Sequence, residues 1–124
     1  MKQRLPPIAA VALLLLLQTA PAAALSESQK IEALIDHVRG MTDAVFIRNG
    51  REHDAAEAAA HLRRKWRVAG DHCRTVETFI QNCASRSSLT GIAYKIRLPN
   101  GMVVPTGRYL LDRLAKISGF PKHH

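Results

Sequence analysis

The sequence predicts a small, helix-rich α+β domain, with about four helices, a C-terminal β-hairpin and a short extra strand near Phe46 to join it. Three observations lead there. Apolar residues recur at helical spacing in four separate segments. Residues 94–98 instead alternate, Tyr94, Ile96 and Leu98 against Lys95 and Arg97, and run into the turn signal Pro99-Asn100-Gly101. Neither an internal repeat nor a linker interrupts the pattern, so one domain is expected.

The N-terminal residues 1–24 read as a signal peptide rather than as part of that domain. Lys2 and Arg4 make a positive start, and residues 8–17 form an unbroken apolar run. That run falls well short of the roughly 20 residues that span a bilayer. Ala22-Ala23-Ala24 fits the small-x-small cleavage pattern, which places cleavage after Ala24 and leaves residues 25–124 as the globular part. No cysteine stands at the junction to carry a lipid, and no later segment is long enough to cross a membrane. A periplasmic location is the expectation.

All the acidic residues lie beyond the signal peptide, so losing Lys2 and Arg4 lowers the formal charge of +8 only by two. A basic exported protein favours anionic partners, either an envelope protein or an anionic envelope component. Nucleic acid would satisfy the same charge, but export argues against it.

The first helix is expected over 26–39, capped by Ser26 or Ser28, with Ile31, Leu34, Ile35 and Val38 on one face and Gly40 as its stop. Residues 44–48 are β-prone and lead to the turn at Asn49-Gly50. Asp54 and Glu57 make a capping-box pattern that opens the second helix, ended by Gly70. Its apolar stripe is Ala55, Ala58, Ala59, Leu62, Trp66 and Ala69, which places Arg63, Arg64 and Arg67 on a solvated face. A third helix over 76–84 follows the cap residue Thr75, then a polar loop over 85–91. After the hairpin strands, 94–98 and 102–104, a last helix runs over 108–117 with Leu110, Leu111, Leu114 and Ile117 available for burial. Gly119 and Pro121 end it.

Cys73 and Cys83 are the only cysteines. Export makes a disulfide natural. A helix running between them would hold their Cα atoms roughly 12–15 Å apart at 1.5 Å per residue, whereas a disulfide needs about 7 Å or less. Geometry therefore favours an unbonded pair, with the disulfide as the alternative.

The best chemical constellation is His53, Glu57 and His61. Glu57 and His61 stand one helical turn apart, and His53 lies just before the cap. Two imidazoles and a carboxylate make a zinc set, or a carboxylate-oriented imidazole for acid–base work. The set lacks the His-Glu-x-x-His spacing of zinc hydrolases. The plainer reading has Glu57 serving the cap and His61 pairing with it. Arg48 is read as the counter-ion of Glu57 or Asp54, or as a fork for a bound carboxylate or phosphate. Trp66 belongs to the core rather than to a stacking platform. The loop serines lack the strand-elbow setting of a nucleophile and are expected to bond nearby backbone. No cofactor fingerprint is present.

The ordered motifs "FIRNG", "EH", "EAAAHL" followed by "K", "TVETFI" and "ASRSSLTG", with Tyr94 shortly after, resemble the YfeK-like family of short exported Gram-negative bacterial proteins, a domain of unknown function. The similarity covers about residues 26–117. It implies a periplasmic location and no activity to carry over, and it includes no matched cysteine pair. It picks out Arg48, Asn49, Gly50, His53, Glu57, His61, Ser87, Ser88, Gly91 and Tyr94. The resulting expectation is a non-enzymatic binding or envelope-associated module without a cofactor. Its surface would run over Arg48, Asn49, His53, Glu57, His61, Ser87, Ser88 and Tyr94. The alternative is metal-assisted hydrolysis with zinc held by His53, Glu57 and His61.

Overall fold

The computed structural model describes residues 24–118. The signal-peptide expectation falls almost wholly outside the described residues, as does the expected stop at Gly119 and Pro121. The order is α1 (Glu27–Gly40), β1 (Val45–Arg48), β2 (Arg51–His53), α2 (Ala55–Ala69), a 3₁₀ turn (Gly70–Cys73), α3 (Val76–Phe79) continuing as a π-turn (Ile80–Ala84), β3 (Lys95–Arg97), β4 (Val103–Pro105) and α4 (Thr106–Ser118). This is the α+β class that the sequence predicts.

Helix α1 begins at a full capping box. Ser26 accepts from the Gln29 amide, and the Gln29 side chain accepts from the Ser26 amide. Its stripe of Ile31, Leu34, Ile35 and Val38 has no exposed surface at all. Helix α2 opens the same way, with Asp54 and Glu57 exchanging side-chain and backbone hydrogen bonds. Arg63 departs from expectation. It is not a solvated charge but donates both guanidinium arms to Glu32 on α1, at 2.7 Å each. The planar fork fits a carboxylate and bridges the two helices. Trp66 packs edge-on against Phe79 at the core margin.

The sheet has strand order β2-β1-β3-β4, every pair antiparallel. The segment around Phe46 does join the C-terminal hairpin, with Phe46 opposite Ile96. Strand β2 was not expected. Asn49 and Gly50 both take positive φ, 53° and 76°, which is the type I′ geometry that folds a strand straight back on its partner. Arg51-Glu52-His53 therefore pairs with β1 although none of the three is apolar.

The chain between α2 and α3 also differs from expectation. Cys73 and Cys83 are disulfide-bonded, with Cα atoms 7.0 Å apart. No continuous helix separates them: Cys73 ends the 3₁₀ turn, the chain reverses through Arg74 and Thr75, and α3 starts only at Val76. Asn82 then reaches back to donate to the His72 carbonyl. The α3 amide at Val76 is satisfied from a distance, by the Glu27 carboxylate at 2.8 Å. That bond, followed by one from Lys30, holds the Glu27 carboxyl below its usual pKa.

Helix α4 starts at Thr106, slightly earlier than predicted. Leu110 and Leu114 are buried and Ile117 packs against the core, but Leu111 is 45% exposed and does not join it. The early start requires Gly107. A Cβ built there would overlap the Ser85 hydroxyl, which donates to the Ile80 carbonyl. Replacing a helical glycine by alanine normally gains about 0.5–1 kcal/mol, whereas overpacking costs about 1–3 kcal/mol. Gly107→Ala is thus expected to lower Tm, and Ser85→Ala in the same chain to restore part of the loss. Thermal melts of the single and double variants check this.

Candidate functional site

Residues of one parity on a strand share a face, so Arg48 follows Phe46 onto the side of the sheet where α2 packs. There it meets two imidazoles. One terminal nitrogen of Arg48 donates to His61 Nδ1 at 3.0 Å, and the other donates to His53 Nε2 at 3.2 Å. The same Arg48 nitrogen that meets His61 Nδ1 lies 3.3 Å from His61 Nε2, so the guanidinium faces the edge of that ring. His61 Nε2 also lies 3.3 Å from the Tyr94 hydroxyl, and that oxygen accepts from Lys65 Nζ at 3.0 Å. His53 Nδ1 faces the Glu57 carboxylate at 4.0 Å. The result is one chain of groups: Glu57, His53, Arg48, His61, Tyr94, Lys65.

Arg48, His53, His61 and Tyr94 of this chain rim a pocket of about 30 Å³ between the sheet and α2. Its walls are apolar, with Phe46, Ile47, Ala58 and Leu62 contributing, and Lys95 and Thr106 close the side toward the hairpin. The electrostatics are one-sided. Among the described residues Arg48 has no carboxylate within ion-pair distance; Glu57 and Asp54 spend themselves on the α2 cap instead. The expected ion pair of Arg48 with Glu57 or Asp54 is therefore replaced by two imidazole acceptors. Burial pushes the His61 pKa down to about 4, helped by the charges of Arg48, Lys65, Arg64 and His53. His61 is a neutral acceptor at neutral pH.

Of the residues singled out from sequence, Arg48, His53, His61 and Tyr94 come together. Glu57 stands at the exposed edge, beside His53 rather than His61. Asn49 and Ser87 form a neighbouring network: Asn49 Nδ2 lies 3.4 Å from Ser87 Oγ, and Thr90 Oγ1 donates to Asn49 Oδ1 at 2.7 Å. The buried Ser87 hydroxyl accepts from the Leu89 and Thr90 amides, so it holds the loop. Ser88 is exposed and outside the pocket. Among the described residues, no three His, Cys, Asp or Glu side chains meet in a way that would hold a metal ion. The guanidinium of Arg48 lies between His53 and His61, where a cation bound by both would have to sit.

The chain matches the Family of unknown function (DUF5329) over residues 25–118. It belongs to that family. The DUF5329 chain is also 38% identical over 86 residues to the Uncharacterized protein YfeK of Salmonella typhimurium, spanning 69% of this chain and 72% of that protein. No solved structure matches it. No helix among its described residues is long and apolar enough to cross a membrane.

Sequence reasoning missed Lys65 as a site residue in this DUF5329 chain. It lies four residues after His61, on the same side of α2, but its significance needs Tyr94, which comes from a different element. Lys65 Nζ also donates to the Arg86 carbonyl and lies 4.9 Å from the centre of the Tyr94 ring, tying the loop to the helix.

The His61 shift has a readable sign. As the pH falls from about 6.5 toward 4 the unfolded chain gains a proton at this position while the folded chain does not, so stability is lost through that window. Burial lowers the pKa of His37 as well, with Arg113 and Lys116 adding to it, and this acts in the same direction. The His61 ring is expected to stay neutral at pH 5 when followed by NMR. His61→Gln is expected to make the fall in Tm from pH 7 to pH 5 shallower without abolishing it.

Proposed function

We propose that this protein is exported to the periplasm, with its signal peptide cleaved after Ala24. There it acts as a non-enzymatic binding module that engages an envelope protein or anionic envelope component through the Arg48 pocket. One observation carries the reading. A half-buried guanidinium is held in place by two imidazoles and has no carboxylate among the described residues to balance it. Charges of this kind are normally paired when they leave water, so the unspent donors of Arg48 are a site for an anion from outside the chain.

The surroundings fit binding better than turnover. A general base is made stronger by an orienting carboxylate, whereas His61 is weakened by an arginine. The Ser87 hydroxyl is committed to backbone amides. The excess of basic residues favours approach of an anionic partner from a distance.

The test combines location with capture. The mature chain is expected in the periplasmic fraction, with Leu25 as its first residue by mass spectrometry. A photocrosslinker at Lys95, on the pocket rim, is expected to capture an envelope component, and Arg48→Gln is expected to abolish the capture while the Tm stays close to wild type. Retention of the uncleaved chain in the cytoplasm contradicts the location. Capture that survives Arg48→Gln contradicts the assignment of the pocket.

A further inference from the structure

We infer that the Arg48 pocket takes a single carboxylate carried on a short apolar stem, such as the end of a peptide chain or an acidic side chain of a partner. This rests on the reading of the pocket as the ligand surface and adds the chemical class. Three features decide it.

The first is the number and arrangement of donors. Arg48 gives one N–H to each imidazole and keeps the rest of its five-donor planar fork. Tyr94 accepts from Lys65, and its own O–H can turn toward a ligand in the pocket that it lines. A flat fork with one hydroxyl beside it matches the two oxygens of a carboxylate. The second is the wall. Phe46, Ile47, Ala58 and Leu62 offer nothing to hydrogen-bond with through their side chains. A phosphate oxygen turned to that wall would lose its water without replacement, since Lys95 and Thr106 stand only on the side toward the hairpin, whereas a methyl or methylene stem gains from the same contact. The third is size. A pocket of about 30 Å³ accommodates a small terminal group and little more.

The imidazoles have a defined part in this. His61, neutral at neutral pH, accepts from Arg48, and His53 meets the other arm, so together they fix the guanidinium plane and leave its positive charge intact. A carboxylate in their place would fix the same plane but neutralise it. His53 and His61 are therefore positioning residues for Arg48 rather than ligand contacts.

The experiment is an NMR titration of the mature protein with acetate, propionate, acetamide and inorganic phosphate at neutral pH. Ionic strength is held constant, because exposed charges respond to salt alone. The readouts are the Arg48 side-chain nitrogen and the rings of His61 and Tyr94. Saturable shifts are expected with millimolar acetate, a few-fold tighter with propionate, and absent with the uncharged acetamide. Arg48→Gln should weaken binding by about tenfold or more, the loss of a charge-assisted pair. Tyr94→Phe, which removes only the O–H, should weaken it by less while leaving the fold intact. Phosphate binding as tightly as acetate, or acetamide binding equally well, overturns the carboxylate assignment. So does the absence of any shift with the carboxylates. In each of those cases the pocket assignment stands or falls separately, on whether Arg48→Gln abolishes capture of the envelope component.

Discussion

Helix α1 is the constraint on which the rest of this fold depends. Its four apolar residues, Ile31, Leu34, Ile35 and Val38, are wholly removed from water, and each such burial is worth about 1.5–3 kcal/mol before the entropy of ordering is set against it. A helix buried this deeply needs neighbours on several sides. The polar residues of α1 assign them. Glu27 accepts from the Val76 amide at the start of α3, Glu32 receives the Arg63 fork from α2, and His37 Nε2 meets the Tyr109 hydroxyl of α4 at 2.9 Å with the two rings stacked. The three anchors are spaced five residues apart, so each turns about 140° around the axis from the last. One helix thereby orients three others by directional contacts, while the non-directional hydrophobic effect supplies the cohesion.

The pocket follows from that arrangement. Helix α2 is fixed to α1 on one side and lies over β1 on the other, and the I′ turn at Asn49-Gly50 brings His53 back beside Arg48. Two imidazoles from different elements thus converge on one arginine. Among the described residues, most ion pairs join partners close in sequence or exposed to water, where they contribute little. Arg48 is the contrast: half-buried, held by two imidazoles, and flanked by Lys65 through Tyr94. The positive charge concentrated there is not an accident of overall composition, since it is built into hydrogen bonds with defined donors and acceptors.

The helices were legible because burial leaves a periodic trace. Ile31 to Val38 and Ala55 to Ala69 carry stripes that only a helix places on one side, and Ser26, Asp54 and Thr75 mark their beginnings. Strand β2 left no such trace. Arg51, Glu52 and His53 are polar on both faces, and it is the conformation of Asn49 and Gly50 that makes them a strand. The cysteine pairing leaves no periodic trace either: periodicity locates the helix, but not the break between the 3₁₀ turn that ends at Cys73 and the extended Thr75 cap, which puts Cys73 outside it. At the site, the residue types were visible while the partners were not. Asp54 and Glu57 looked like counter-ions for Arg48 because they are close in sequence, yet their oxygens were already committed to the helix start. Lys65 became part of the site only when the hairpin brought Tyr94 across to it.

The disulfide has one further consequence. Cys73 and Cys83 are 0% and 1% exposed, enclosed by the same core that α1 organises. Thiol exchange proceeds by direct attack on a sulfur atom and so requires access to it. The folded chain denies that access, and reduction must wait for the core to open. In the finished protein, the speed at which an external thiol cleaves the bond is a clock for the opening of the packing around Cys73 and Cys83.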